Sequence, residues 1–222
     1  MEVIEAIQSR RSTRGFKSKP VPRKVLEEIL ETCRWVPSAQ NTQSWELTVL
    51  GGEVMKKVKA RLAENIKNNV KTTSELPVPD LPQPYLQRAT DHRDCTDAAQ
   101  FPPGTPDLAE KRAEYWVKGG CFHDAPNGII ISMERCLYPK MVFDMGIMAQ
   151  TICLAAMNFG LGTCITLRPV YWPDMLRELL GIPQSKLIVM AIAIGYPNPE
   201  TLINNKPRPR EPLSRFTNWQ GF

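Results

Sequence analysis

The side chains of this sequence best placed to do chemistry are its cations. Arg10, Arg11, Arg14, Lys17, Lys19 and Arg23 fall between Ser9 and Arg23 with no acid among them. Lys206, Arg208, Arg210 and Arg215 fall between Lys206 and Phe222 against Glu211 alone. These two segments carry +6 and +3 of a net charge of +5, which leaves −4 on the rest. Two short basic segments on a slightly acidic body fit a local anion site better than a broad polyanion surface. Between them lie two further segments with chemical potential: the loop SAQNTQS before Trp45, rich in amides and hydroxyls, and the small-residue run GLGTCIT at 160–166.

Other chemistries lack their residues. The six cysteines, at 33, 95, 121, 136, 153 and 164, are scattered, so free thiols are expected and not a disulfide framework. His92 with Cys95, and Cys121 with His123, lack the spacing of a structural zinc site, and no metal is expected. With only two histidines and no G-x-S-x-G elbow, a hydrolytic triad has no support. There is no Walker loop, and GLGTCIT lacks the third glycine of the dinucleotide fingerprint and follows a helix. The basic residues have no interleaved aromatics, so a nucleic-acid partner, the rival from another functional class, is disfavoured. The longest apolar run, Leu187 to Tyr196, is about half of a membrane span. The opening MEVIEAIQSRR, with Glu2 and Glu5, lacks the layout of a secretory signal, so a cytoplasmic location and no membrane contact are expected.

The elements that must position these residues follow from periodicity in a 222-residue chain, read as a single domain over 1–222. Val3, Ile4, Ala6 and Ile7 mark a first helix, after which RRSTRGFKSKP is an extended loop. Pro22 opens a helix whose apolar face runs through Val25, Leu26, Ile29, Leu30 and Cys33 to a stop at Pro37. Trp45, Leu47 and Val49 alternate as a strand, and Val54, Val58, Leu62 and Ile66 mark the next helix. Residues 77–106 hold seven of the 20 prolines and no apolar period, which predicts a lid without regular structure. A short helix is expected over Leu108 to Trp116, a buried strand from Gly128 to Met133, and the strongest helix from Val142 to Met157, ended by Gly160 and Gly162. Pro173 opens a helix closed by Gly181, and LIVMAIAIGY is a strand apolar on both faces, hence central. The tail 197–222 has five prolines and the rings of Phe216, Trp219 and Phe222, which suits an arm embracing a second subunit.

Taken in order, four segments resemble the FMN-dependent nitroreductase family. Arg10-Arg11-Ser12-Thr13-Arg14-Gly15-Phe16 resembles its opening R-x-S-x-R/K-x-F, and Pro37-Ser38-Ala39-Gln40-Asn41-Thr42-Gln43-Ser44-Trp45 its P-S-x-x-N-x-Q-P-W loop. Asp144 to Gly146, Gln150, Leu154 to Ala156 and Gly160 to Thr163 are similar to its D-x-G…Q…L-A-A…G-L-G-T helix, and Lys206-Pro-Arg208 to its K-x-R tail. The resemblance implies an α+β fold of three layers, a central, mainly antiparallel sheet flanked by helices, in an intertwined homodimer with an exchanged C-terminal arm. It implies tightly held FMN, NAD(P)H as a transient reductant, and a small-molecule acceptor, nitroaromatic or quinone, reduced in a ping-pong cycle.

The same resemblance assigns roles. Arg10, Lys206 and Arg208 are implied at the FMN phosphate, where arginine offers bidentate, always-charged donors. Arg14 is implied beside the ring edge that becomes negative on reduction, where a cation favours the reduced form. Arg11 and Ser12 match ribityl and ring-edge contacts, and Pro37, Ser38, Ala39, Asn41 and Gln43 match a loop that lines the site from the second subunit. The backbone of Cys164, Ile165, Thr166 and Leu167 would face the reactive nitrogen of the ring, and the flavin, not a side chain, carries the hard step. A third-helix contact falls among Asn68, Asn69 and Lys71, with Asn69 chosen, while Tyr85 and Arg88 of the lid are the candidate acceptor contacts. Ser44 stands where the family has proline. Reductive dehalogenation is the alternative within the family, although its S-G-A-H-T-E-P-W loop is matched only partly by SAQNTQSW.

Overall fold

In the computed structural model, which describes residues 2–222, strands β1 (Trp45–Leu50), β2 (Asn127–Glu134), β3 (Gly162–Thr166) and β4 (Lys186–Gly195) form one antiparallel sheet in the order β1-β2-β4-β3. Strand β4 is interior, as its two-sided apolar sequence requires. A register shift after Ile131 reverses the side-chain alternation along β4, so that Leu187, Val189, Ile192 and Ile194 pack on one face and Ile188, Ala191 and Ala193 on the other.

Helices cover both faces. On the first lie α2 (Arg23–Cys33) and α6 (Val142–Met157), which bury Leu26, Ile29, Met145, Met148, Ile152 and Ala156 against Ile129, Ile131 and Met133. On the second lie α3 (Gly52–Lys67) and α7 (Pro173–Leu180), with Met55, Val58, Leu62 and Leu176 against Ile130 and Ile188. Each of the larger of these side chains, alanine apart, contributes about 1.5–3 kcal/mol when fully buried, which is why this layering follows from the apolar stripes. Gly181, at φ +67, ends α7 as expected, its N–H donating to the Arg177 carbonyl at 2.9 Å.

Three expectations are corrected. The segment 77–106 is not without regular structure: α4 (Tyr85–Gln100) occupies sixteen of its residues. All seven prolines lie outside that span, where they leave the helical hydrogen bonds intact, and α4 buries no residue, so it has no apolar stripe to announce it. The helix expected to end at Trp116 runs a further turn, as α5 (Leu108–Gly120). The run GLGTCIT contains β3, a five-residue edge strand too short for its alternation to register.

The first helix, α1 (Val3–Ser9), leads into the extended segment 10–16, which lies along the free edge of β3 through a parallel bridge between Ser12 and Thr163, with the Thr13 N–H donating to the Thr163 carbonyl at 2.9 Å. A β-carbon on Gly162 would collide with the Thr13 side chain, so glycine there allows the close approach. The sheet edge thereby fixes where the first basic cluster points.

Candidate functional site

The two basic segments, nearly two hundred residues apart in sequence, meet. Arg11 donates to the backbone carbonyls of Asn204 and Lys206, and Arg208 donates to those of Gln8, Ser9 and Arg10, at the C-terminal end of α1. Asn204 is buried and completes the junction: its Oδ1 accepts from the Arg14 N–H at 2.8 Å, and its Nδ2 donates to the Gly15 carbonyl at 2.9 Å. Residues 197–206 of the tail are therefore tied to their own chain.

Around this junction opens a cleft of about 420 Å³ lined by Arg10, Arg11, Ser12, Arg14, Lys206 and Arg208, with Arg88 and Arg210 at its margin and only Asp91 and Glu211 as acids. Lys206 is 7% exposed and its Nζ donates to Thr96 Oγ1 at 2.6 Å, with His92 Nδ1 at 3.1 Å. Burial, and then the Arg14 charge, hold its ammonium below the usual lysine pKa. His92 is held below its ordinary value by burial first and by Lys206, Arg14 and Arg210 after it. A buried ammonium whose partners are neutral, inside a ring of guanidinium groups, is a site short of an anion.

Arg14 also lines a second cleft, of about 530 Å³. Its floor is the end of β3, Cys164, Ile165 and Thr166, with Leu167 beyond; its walls carry Phe101, Tyr115, Trp116, His123, Arg168 and Tyr171. His123 is pushed down to about 3 by burial, with Arg14 and Arg168 adding to the effect, so its imidazole is neutral, and its Nδ1 is buried without a partner. Burial raises Tyr115, the largest of several effects on it, so the phenol keeps its proton.

Other candidates lie elsewhere. Pro37, Ser38 and Ala39 line a shallow cleft beside Phe143, Asp144 and Ile147 of α6, apart from both basic walls. This loop is held internally: the Gln43 N–H donates to Ser38 Oγ at 2.9 Å, the Ala39 N–H points to the Asp144 carboxylate at 3.3 Å, and Asn41 and Gln43 take left-handed φ values. Asn69, at φ +50 after α3, lines neither basic cleft. Arg88 reaches the margin of the first cleft, paired with Glu211 at 3.1 Å and 5.4 Å from the ring centre of the exposed Tyr85, so neither residue lines the second. Sequence reasoning missed His92, Tyr115, Trp116, His123 and Arg168. The available signals were the arginine directly after GLGTCITL and a glycine pair ending α5, where Arg168 packs.

Residues 7–196 match the Nitroreductase family. The chain belongs to that family. It is 30% identical to a chloronitrobenzene nitroreductase of Comamonas testosteroni, over 97% of this chain and 95% of the relative. It is 28% identical to a 4-nitrobenzoate reductase of Pseudomonas putida, over 97% and 94%. The FMN and NADPH-dependent nitroreductase NfnB from sphigopyxis sp. strain HMH has a crystal structure that superposes with a TM-score of 0.92 at 26% identity, covering 100% of both chains. The α+β, helix-flanked antiparallel sheet is thus the nitroreductase fold. Among the described residues no helix is long and apolar enough to cross a membrane, and no group of three or more metal-ligating side chains occurs.

Proposed function

We propose that this nitroreductase-family chain is an FMN-dependent oxidoreductase that uses NAD(P)H to reduce nitroaromatic or related acceptors. The observation that carries the reading is the junction of two clefts at Arg14, one cationic and sized for a phosphate and its sugar chain, the other open along the backbone of β3 and walled by aromatic rings. The donor chemistry fits FMN. A phosphate supplies the anion that Lys206 and the surrounding guanidinium groups lack, and a flat ring suits the floor of the second cleft. When bound, FMN supplies two-electron chemistry, taking electrons from NAD(P)H and passing them to the acceptor in separate half-reactions.

Arg10, Lys206 and Arg208 would hold the phosphate. Arg208 has a second task, since its guanidinium caps three carbonyls at the end of α1 and so fixes where Arg10 sits. Ser12 and Arg11 would contact the ribityl chain; Arg11 also locks the tail in place. Arg14, between the clefts, would stabilise the negative charge that develops at the nearby ring edge. The backbone of Cys164 to Leu167 would lie against the ring, where the small residues of the strand admit close approach.

Pro37, Ser38, Ala39, Asn41 and Gln43 would complete the site of a second copy in a homodimer, which accounts for an internally hydrogen-bonded polar loop that reaches neither basic cleft of its own chain. Apolar side chains left in solvent on α1, on α6 and in the tail support this reading, as does the exposed Trp35. The tail beyond Pro212, with Phe216, Trp219 and Phe222 exposed, would be the exchanged arm. Of the remaining expected contacts, Arg88 at the first cleft would meet the anionic end of the cofactor, whereas Asn69 and Tyr85 line neither cleft of their own chain. The single-domain reading keeps 77–106 as a lid insertion, while the arm expected over 197–222 narrows to the stretch beyond Pro212, because 197–206 is bonded to its own chain. The need for NAD(P)H supports a cytoplasmic location and a small-molecule partner, with no call for nucleic acid or membrane.

Relatives named for chloronitrobenzene and 4-nitrobenzoate support a nitroaromatic acceptor over reductive dehalogenation. Purified protein should be yellow, release FMN on denaturation, and oxidise NAD(P)H only when an acceptor is supplied. Colourless protein that takes up no added FMN would end the reading.

A further inference from the structure

We propose that Arg168 is an acceptor-recognition residue and that the second cleft selects planar aromatic acceptors bearing a carboxylate. The inference rests on the flavoenzyme reading above and names the substrate class of the same site. Arg168 lies two residues beyond the strand end that forms the cleft floor and lines the same cleft, so its guanidinium stands beside the place where an acceptor must lie. The side chain is held, not free: Nη1 donates to the Trp116 carbonyl at 2.8 Å, and the guanidinium carbon sits 3.6 Å from the centre of the Trp116 ring. Gly119 makes this possible, since a β-carbon there would stand 2.7 Å from Arg168 Nη1.

Among the described residues no carboxylate lies within ion-pair distance of Arg168; the polar groups around it are the Tyr115 and Tyr171 phenols and the Cys121 thiol. The one acid lining the cleft, Asp97, is occupied by Arg112 at 2.5 Å. A partly buried guanidinium with no counter-ion, oriented by a ring and a carbonyl, carries a desolvation cost that an incoming anion would offset. Its planar fork still has donors for the two oxygens of a carboxylate. Tyr115, Tyr171 and Phe101 supply the flat apolar walls that an aromatic ring requires. His123, on the same wall, stays neutral and so neither competes for the anion nor repels a ring.

The test compares 4-nitrobenzoate with its methyl ester, which keeps the ring and the nitro group and removes only the charge. Wild-type enzyme should favour the acid, and Arg168→Gln should lower the ratio of kcat/KM for acid over ester about ten- to a hundredfold, chiefly through KM for the acid. Arg168→Lys, which keeps the charge and loses the fork, should recover part of the ratio. A ratio unchanged in Arg168→Gln, or absent from wild type, overturns the proposal. Binding without turnover provides a second arm that needs no variant to fold: benzoate should bind the wild-type FMN-loaded protein at least tenfold tighter than benzamide in calorimetry, and equal affinities also overturn it. If the protein binds FMN yet reduces neither nitro compound with NAD(P)H, the flavoenzyme reading fails first; if it reduces both alike, only this inference fails.

Discussion

At the scale of single residues, the site is an arrangement of cations whose environments differ. Arg14 touches both clefts, and its backbone N–H is fixed by the buried Asn204, so the position of its charge is determined by the fold. Arg14→Ala should leave FMN bound but lower the flavin reduction potential, because the cation interacts more strongly with the reduced ring. A charge-assisted contact worth about 1.5–3 kcal/mol corresponds to roughly 30–65 mV for a two-electron couple. Redox titration of the bound flavin measures this, and an unchanged potential removes Arg14 from that role. His123 gives a pH signature. Its folded pKa is about 3, against an ordinary value near 6.5, so the unfolded chain binds the extra proton first. Its contribution to stability is present above about pH 6.5 and is lost as pH falls toward 3. His123→Asn, which tolerates the left-handed φ of +52, should flatten that acid loss, by roughly 1–2 kcal/mol at pH 5, in urea unfolding followed across pH. Parallel pH profiles for the two proteins would mean that the imidazole is charged in the native state.

At the scale of elements, the legible parts of the sequence were those with strong burial. Strands β2 and β4 and helix α6 were readable because each fills a layer with apolar side chains, and the core around Ile129, Ile131, Met148 and Ile152 follows from them. Helix α4 was hidden because it buries nothing, and its flanking prolines dominate the composition of the segment. Strand β3 was hidden because five residues at a sheet edge show no period, although the resemblance had already placed its backbone beside the ring. The basic half of the site was legible because both clusters are dense in charge. The aromatic half was not, since Tyr115, Trp116 and Arg168 converge only through the packing of α5 on the turn after β3. Helix α4 bears on both halves, giving Thr96 and His92 to Lys206 and lining the second cleft with Arg93 and Asp97. Replacing residues 78–104 by a short Gly/Ser bridge should keep FMN bound with affinity within about a hundredfold, the worth of the two contacts that Lys206 loses with Thr96 and His92, while raising KM for the best acceptor and altering acceptor preference. Loss of FMN or of the dimer in most of the protein, with an unaltered acceptor spectrum in the fraction that still holds FMN, would make the segment structural and withdraw specificity from Tyr85 and Arg88.

At the scale of the whole molecule, several large apolar side chains are left in solvent on α1 and α6 and at Trp35. Val3, Ile4 and Ile7 of α1 and Phe143 and Ile147 of α6 lie in solvent, with Phe143 at 74% and Trp35 at 89% exposure. Helix α6 is therefore apolar on the side opposite its core face, beside the cleft lined by Pro37, Ser38 and Ala39. A solitary exposed ring is ordinary, but several on adjoining elements mark a surface that another protein covers. If that protein is a second copy, the polar loop between Pro37 and Gln43 arrives with it, so dimerisation and cofactor binding become one equilibrium. Phe143→Glu with Ile147→Glu should therefore do two things at once: yield monomers in sedimentation, because two charges per protomer cannot be desolvated at a symmetric interface, and weaken FMN binding at least tenfold although both substitutions lie outside the basic clefts. Arg10, Arg14, Lys206 and Arg208 are unaltered in that variant, so the size of the FMN loss measures what the partner's loop contributes. A monomer that holds FMN as tightly as wild type would confine the site to one chain and leave the loop without a part in it.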